Sequence, residues 1–173
     1  MPILPGMQFD LVDELVQTWA RERPDLDVSK LAVVSRISLL AKHFDRQDRE
    51  ALNRIGLQPW AYEVIVALRR QGPPYQHSPT ELRRLALLSS GAMTARLDRL
   101  EERGLITRSL SSLDRRSFVI TLTPAGQELA DRAIAARLEE VERWLAPLGD
   151  EDSEVLSGLL RQLLLGVATE VTS

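Results

Sequence analysis

Eight arginines stand between residues 80 and 125: Arg83, Arg84, Arg96, Arg99, Arg103, Arg108, Arg115 and Arg116. Five acids share that segment, so its net charge is +3. The flanks differ. Residues 1–79 hold ten acids and ten bases, and residues 126–173 hold ten acids against four bases. The 173-residue chain is thus acidic overall, at −3, with a basic island in its middle. A guanidinium recognises phosphate, or the edge of guanine, through paired hydrogen bonds. Its attraction to phosphate acts over roughly 8–10 Å at physiological salt. What matters is the charge on one face, not the sum over the chain. Charge alone divides evenly between a nucleic-acid face and ordinary surface scatter.

Other chemistries are poorly served. The chain has no cysteine, which excludes disulfides, thiol sensing, cysteine nucleophiles and cysteine-based zinc sites. Its two histidines, His43 and His77, are isolated from each other. There is no glycine-rich phosphate loop and no nucleophile elbow. Neither an enzyme nor a cofactor or metal is expected. No run approaches 18 consecutive apolar residues, so no membrane span is expected. Residues 1–6 lack the charged-then-apolar pattern of a signal peptide, and the expected compartment is the cytoplasm.

The elements that must position the arginines are mostly helical. Val12, Leu15, Val16 and Trp19 recur at helical spacing, which predicts a helix over roughly 8–22. A second spans about 28–54, and Gly56 closes it. A third starts near Pro59 and stops before Gly72-Pro73-Pro74. Ser78-Pro79-Thr80-Glu81 is a capping box that opens a short helix, about 80–87. Ser89 is a good cap for the next, about 90–103, and Gly104 suits its C-terminal end. Two short helices so joined predict a helix-turn-helix. Residues 105–108 and 117–122 are rich in β-branched and aromatic types, which predicts a hairpin wing with a basic tip. Thr123-Pro124 caps a further helix, and Asp150 the last.

That last helix is wider in apolar coverage than a surface helix needs, and Phe9 and Trp19 add apolar surface near the N-terminus. Pairing these terminal helices between two copies would bury them; packing on their own domain is the alternative.

From Ser78-Pro79-Thr80-Glu81-Leu82 the chain resembles the MarR family of winged-helix transcriptional regulators. The resemblance continues through Leu88-Ser89-Ser90-Gly91-Ala92-Met93-Thr94-Ala95-Arg96-Leu97-Asp98-Arg99-Leu100-Glu101 and Arg103-Gly104-Leu105-Ile106-Thr107-Arg108. Asp114-Arg115-Arg116 and Leu122-Thr123-Pro124-Ala125-Gly126 complete it. It implies a mainly α fold with a small β-hairpin wing. Residues 57–123 would be the winged helix-turn-helix, with dimerisation helices in 1–56 and 124–173. It also implies a homodimer on pseudopalindromic operator DNA, often responsive to a small molecule.

The physics of DNA recognition points to particular residues. The second helix of such a motif lies in the major groove, N-terminal half toward the bases. Ser89, Ser90, Ala92, Met93, Thr94 and Arg96 form the contact set, with Arg99 as a further member. Glu102 and Asp98 offer Arg99 and Arg103 intrahelical partners instead. Arg115 and Arg116 sit where a hairpin tip meets a minor groove. Leu97, Leu100 and Leu105 are expected in the core.

Trp19 with Glu22-Arg23-Pro24-Asp25-Leu26-Asp27, and Tyr62 through Arg70, further resemble the PecS-type, urate-responsive subgroup. That resemblance implies a purine or phenolic ligand site at Trp19, Glu63, Arg96 and Arg108. Glu63 stands where the subgroup generally has aspartate. An aromatic face with arginine suits a flat anion. Helix packing by Trp19 and structural Glu63–arginine pairing are the alternatives. A winged-helix regulator without ligand, or an interaction module that has lost DNA binding, remains open as well.

Overall fold

The computed structural model describes residues 9–85, 90–110 and 118–171. Among these residues seven helices and three strands follow in the order α1 (Leu11–Glu22), α2 (Leu31–Arg54), α3 (Pro59–Arg70), β1 (Gln76–His77), α4 (Pro79–Leu85), α5 (Ser90–Glu102), β2 (Ile106–Leu110), β3 (Phe118–Leu122), α6 (Pro124–Leu145) and α7 (Asp150–Val171). The chain divides into two compact units between Gln47 and Asp48, inside α2. No helix among the described residues is long and apolar enough to cross a membrane. No group of three metal-ligating side chains occurs among them either.

In the first unit α1 begins at a reciprocal cap. The Asp10 carboxylate accepts from the amides of Val12 and Asp13, and Asp13 accepts from the Asp10 amide. Arg36 on α2 reaches back to Asp10 at 2.9 Å and Asp13 at 2.8 Å. Only Val12 of α1 is buried; Leu11, Leu15 and Trp19 are exposed.

In the second unit the core is built around α3. Pro59 fits the first helical position, where no amide partner is needed. Ala61, Val64, Ile65 and Leu68 then recur at helical spacing and are all buried. They pack with Leu82 of α4, Leu97 and Leu100 of α5, Ile106 and Ile120 of the sheet, and Leu129 and Ala133 of α6. Two charged ties join the C-terminal end of α2 to α6. Arg54 meets the buried Glu140, and Arg137 meets Asp48 at 2.9 Å. By contrast α7 leaves Val155, Leu159, Leu163 and Leu164 exposed.

The sheet has three antiparallel strands in the order β1-β3-β2, so the expected hairpin has one strand more than its sequence announces. The addition, β1, pairs Gln76 with Thr121 and His77 with Ile120. It is two residues long, too short to show any alternation. Its partner β3 becomes the central strand, and β2 remains an edge.

Candidate nucleic-acid interface

The short helix α4 depends on its cap. The Glu81 amide donates to Ser78 Oγ at 3.2 Å, while Glu81 Oε2 accepts from the Ser78 amide and hydroxyl, both at 2.9 Å. The Ser78 amide and hydroxyl hold the Glu81 carboxyl below the usual carboxylate range. A lowered value means stabilisation that is present above the ordinary pKa and lost as pH falls through the lowered one. We expect Glu81→Ala to cost roughly 0.5 kcal/mol at neutral pH, the low end for a cap because the side chain is half exposed. Glu81→Gln should keep the bonds and flatten the acid limb of stability below about pH 4. Urea midpoints across pH 3–7 measure both; equal acid limbs in wild type and Glu81→Gln would refute the assignment.

Helix α5 ends where glycine is needed. Gly104 has a φ of +66°, a left-handed geometry strained for other residues. This lets the Gly104 amide bond Glu101 O at 2.8 Å and the Leu105 amide bond Leu100 O at 2.9 Å. The chain turns there directly into β2.

Along α5, Met93, Leu97 and Leu100 face inward, each no more than 3% exposed. This corrects the expected contact set: Met93 is a core residue with no surface to offer a base. The outward side carries Thr94, Ala95, Asp98 and Arg99, with Arg96 half-buried on its flank. Ala95, small and exposed, was missed; it lies on the face opposite Leu97 and Leu100, a position that helical phase alone supplies. Ser90 and Ala92 lie within α5. Ser89, Arg115 and Arg116 fall outside the described residues.

Asp98 and Glu101 of α5 pair across to the sheet rather than along the helix. Arg108 of β2 meets Asp98 at 2.6 Å and Glu101 at 3.4 Å. Arg103 donates to the Gly56 carbonyl at 3.2 Å. Among the described residues Arg96 and Arg99 make no ion pair, the nearby Asp98 and Glu101 being held by Arg108. Arg108 also lines a cleft of about 460 Å³ with Arg83, Thr94, Phe118 and five apolar or small neighbours from α4, α5 and β3. Of the four residues implied for a ligand, only Arg108 lines it. Glu63 is exposed on α3, and Trp19 is half exposed on α1 in the first unit. Arg83 was not singled out as a site residue, and its sequence neighbourhood gives no sign of the cleft.

Residues 55–117 match the MarR family. Over 149 residues the chain is 34% identical to the HTH-type transcriptional regulator PecS of Dickeya dadantii (strain 3937), covering 86% of this chain and 90% of that one. The chain belongs to the MarR family. Solved structures share the fold. AbsC, a MarR family transcriptional regulator from Streptomyces coelicolor, superposes with a TM-score of 0.73 at 20% identity, covering 83% of this chain and 97% of its own. Sco3205 from the same organism, solved in complex with DNA, gives 0.70 at 21% identity, covering 82% and 93%. As a MarR-family winged-helix protein the chain is a DNA-binding transcriptional regulator, and α4–α5 is its helix-turn-helix.

Proposed function

We propose that this regulator is a homodimeric, sequence-specific repressor of operator DNA in the cytoplasm, released by a small aromatic or purine-like anion. The carrying observation is the outward face of α5. There Thr94 and Ala95 allow close approach, and Arg99 and Arg96 stand free of ion pairs among the described residues. The wing arginines Arg115 and Arg116 supply the second point of contact, and Ser89, Ser90 and Ala92 the N-terminal approach to the bases. Residues 57–123 act as the DNA-binding region. The exposed apolar residues of α1 and α7 support the second copy, with residues 1–56 and 124–173 as the dimerising parts. A two-fold dimer places two recognition helices about one turn of DNA apart, which suits a pseudopalindromic site.

For the ligand, the cleft lined by Arg83 and Arg108 offers apolar walls and, in Arg83, a guanidinium that no acid among the described residues pairs, the combination a flat anion needs. The PecS-type resemblance implies Trp19, Glu63 and Arg96 as further ligand residues, none of which lines this cleft. An anion favouring one geometry of α5 would shift DNA affinity by its differential affinity for the two states.

A gel shift on the DNA upstream of the protein's own coding region tests the reading. Binding should fall steeply with salt, because each neutralised phosphate releases a counterion with a log–log slope of about −0.9. A complex insensitive to salt, or no complex, would refute it. Tryptophan fluorescence titrated with urate, xanthine and salicylate tests the ligand; no response to any, with operator binding unchanged, would remove the sensor from the proposal.

A further inference from the structure

We propose that Asp98 and Glu101 are positioning residues for DNA binding: through Arg108 they clasp the wing to the recognition helix and fix the angle between them. The proposal rests on the DNA-binding reading above.

The geometry carries it. Strand β2 is an edge of the sheet, so every second residue turns its amide away from β3. Arg108 is one of these, and its N–H donates to Glu101 Oε1 at 3.1 Å. The other oxygen of the same carboxylate stands 3.4 Å from Arg108 Nε, and Asp98 Oδ1 stands 2.6 Å from Nη2. Asp98 and Glu101 are three residues apart on α5 and therefore share a flank. One carboxylate thus caps the open edge of the strand while both hold its side chain. Among the described residues no other hydrogen bond or ion pair joins α5 to β2 or β3.

The clasp sits where a tie is needed. Near the α5–β2 turn, buried Leu105 and Ile106 anchor the strand in the core. At the far end Leu110 and Phe118 face each other and are both exposed, so packing no longer holds the wing. Arg108 lies between. Beyond it the sequence carries Arg115 and Arg116, the wing arginines of the DNA-binding reading.

Stability alone is a weak account of these contacts. Asp98 and Glu101 are 50% and 42% exposed, and solvent screens pairs of that kind. Arg108 Nε and Nη2 approach the carboxylates without an in-line hydrogen bond. Two acids on a helix that must meet phosphate would otherwise only repel it. Pairing with Arg108 offsets that charge and gives it a use.

This fixes the sign of the test. If Asp98 and Glu101 were bystanders, removing their negative charge would strengthen binding to a phosphate backbone. If they position the wing, removing them weakens specific binding. We expect Asp98→Asn/Glu101→Ala to bind the operator about tenfold more weakly than wild type at fixed salt. Binding to a scrambled duplex should rise or stay level, and Tm should stay within a few degrees. Hydrogen exchange at the Arg108 amide should speed up at least tenfold. Glu101→Gln, which keeps an acceptor for that amide, should restore its protection. Operator affinity that rises or holds while the Arg108 amide exchanges faster would overturn the clasp, as would an amide equally protected in Glu101→Ala. Failure of the wild-type chain to bind would instead refute the DNA-binding reading, so the two failures are distinct.

Discussion

Arg116→Ala will weaken operator binding on the order of a hundredfold while leaving the fold intact. Residues 110 and 118 face each other at the end of the described β2–β3 ladder, and Arg116 stands between them in sequence. A minor groove is about 6 Å wide, and the wing reading assigns the Arg116 guanidinium to it. Losing one guanidinium from a narrow groove costs about 1–1.5 kcal/mol, and the proposed two-fold dimer loses it twice. At about 1.4 kcal/mol per tenfold, the sum approaches two decades. The described core is built mainly from α3 to α6 and the sheet, and its stability should not change. Fluorescence anisotropy with an operator duplex, paired with thermal unfolding, measures both. Nanomolar binding retained by the variant at physiological salt would sink the wing assignment.

The residues that sequence placed well are those whose signal is local. The capping box at Ser78 and Glu81, the proline at Pro59 and the turn at Gly104 each declare a helix end through bonds made within a few residues. The helix-turn-helix and its wing follow from them. What escaped depends on partners far along the chain. Strand β1 exists because β3 offers it an edge; Gln76-His77 alone carries no pattern. Met93 was recoverable, since it lies four residues before Leu97 and so shares the inward face of the expected core residues. Local spacing offered Asp98 and Glu102 as helical partners for Arg99 and Arg103. The fold instead brings Asp98 and Glu101 to a strand arginine, and Arg103 to a carbonyl on the far side of α3 in sequence. Helical spacing shows which partners are possible, and tertiary packing selects among them.

Gly126→Ala will destabilise the protein by about 3 kcal/mol or more, against the trend for its residue types. In an ordinary helix, replacing glycine by alanine gains about 1 kcal/mol, because alanine surrenders less backbone freedom. Gly126 is the third residue of α6, and its setting reverses that sign. Two bonds fasten this first turn to the residues that follow α5, and a third closes the turn on itself. The Thr123 amide donates to Leu105 O at 3.1 Å, the Thr123 hydroxyl donates to Gly104 O at 2.7 Å, and the Gly126 amide donates to Thr123 Oγ1 at 3.0 Å. A Cβ on Gly126 would stand 2.1 Å from Leu105 O and 2.8 Å from a methyl of Leu122. The methyl can move, but the carbonyl belongs to the backbone that turns the recognition helix into the wing. Accommodating the new atom means breaking the Thr123–Leu105 bond or shifting β2, and either disturbs the buried Leu105, Ile106 and Leu122. Gly158→Ala on α7 is the matched control, since nothing lies within 4 Å of a Cβ there, and it should be neutral or stabilising. Urea unfolding of both variants separates a general helix effect from the close approach at Leu105. A Gly126→Ala protein as stable as wild type would show that this junction yields, and that the angle between α5, wing and α6 is not held by it.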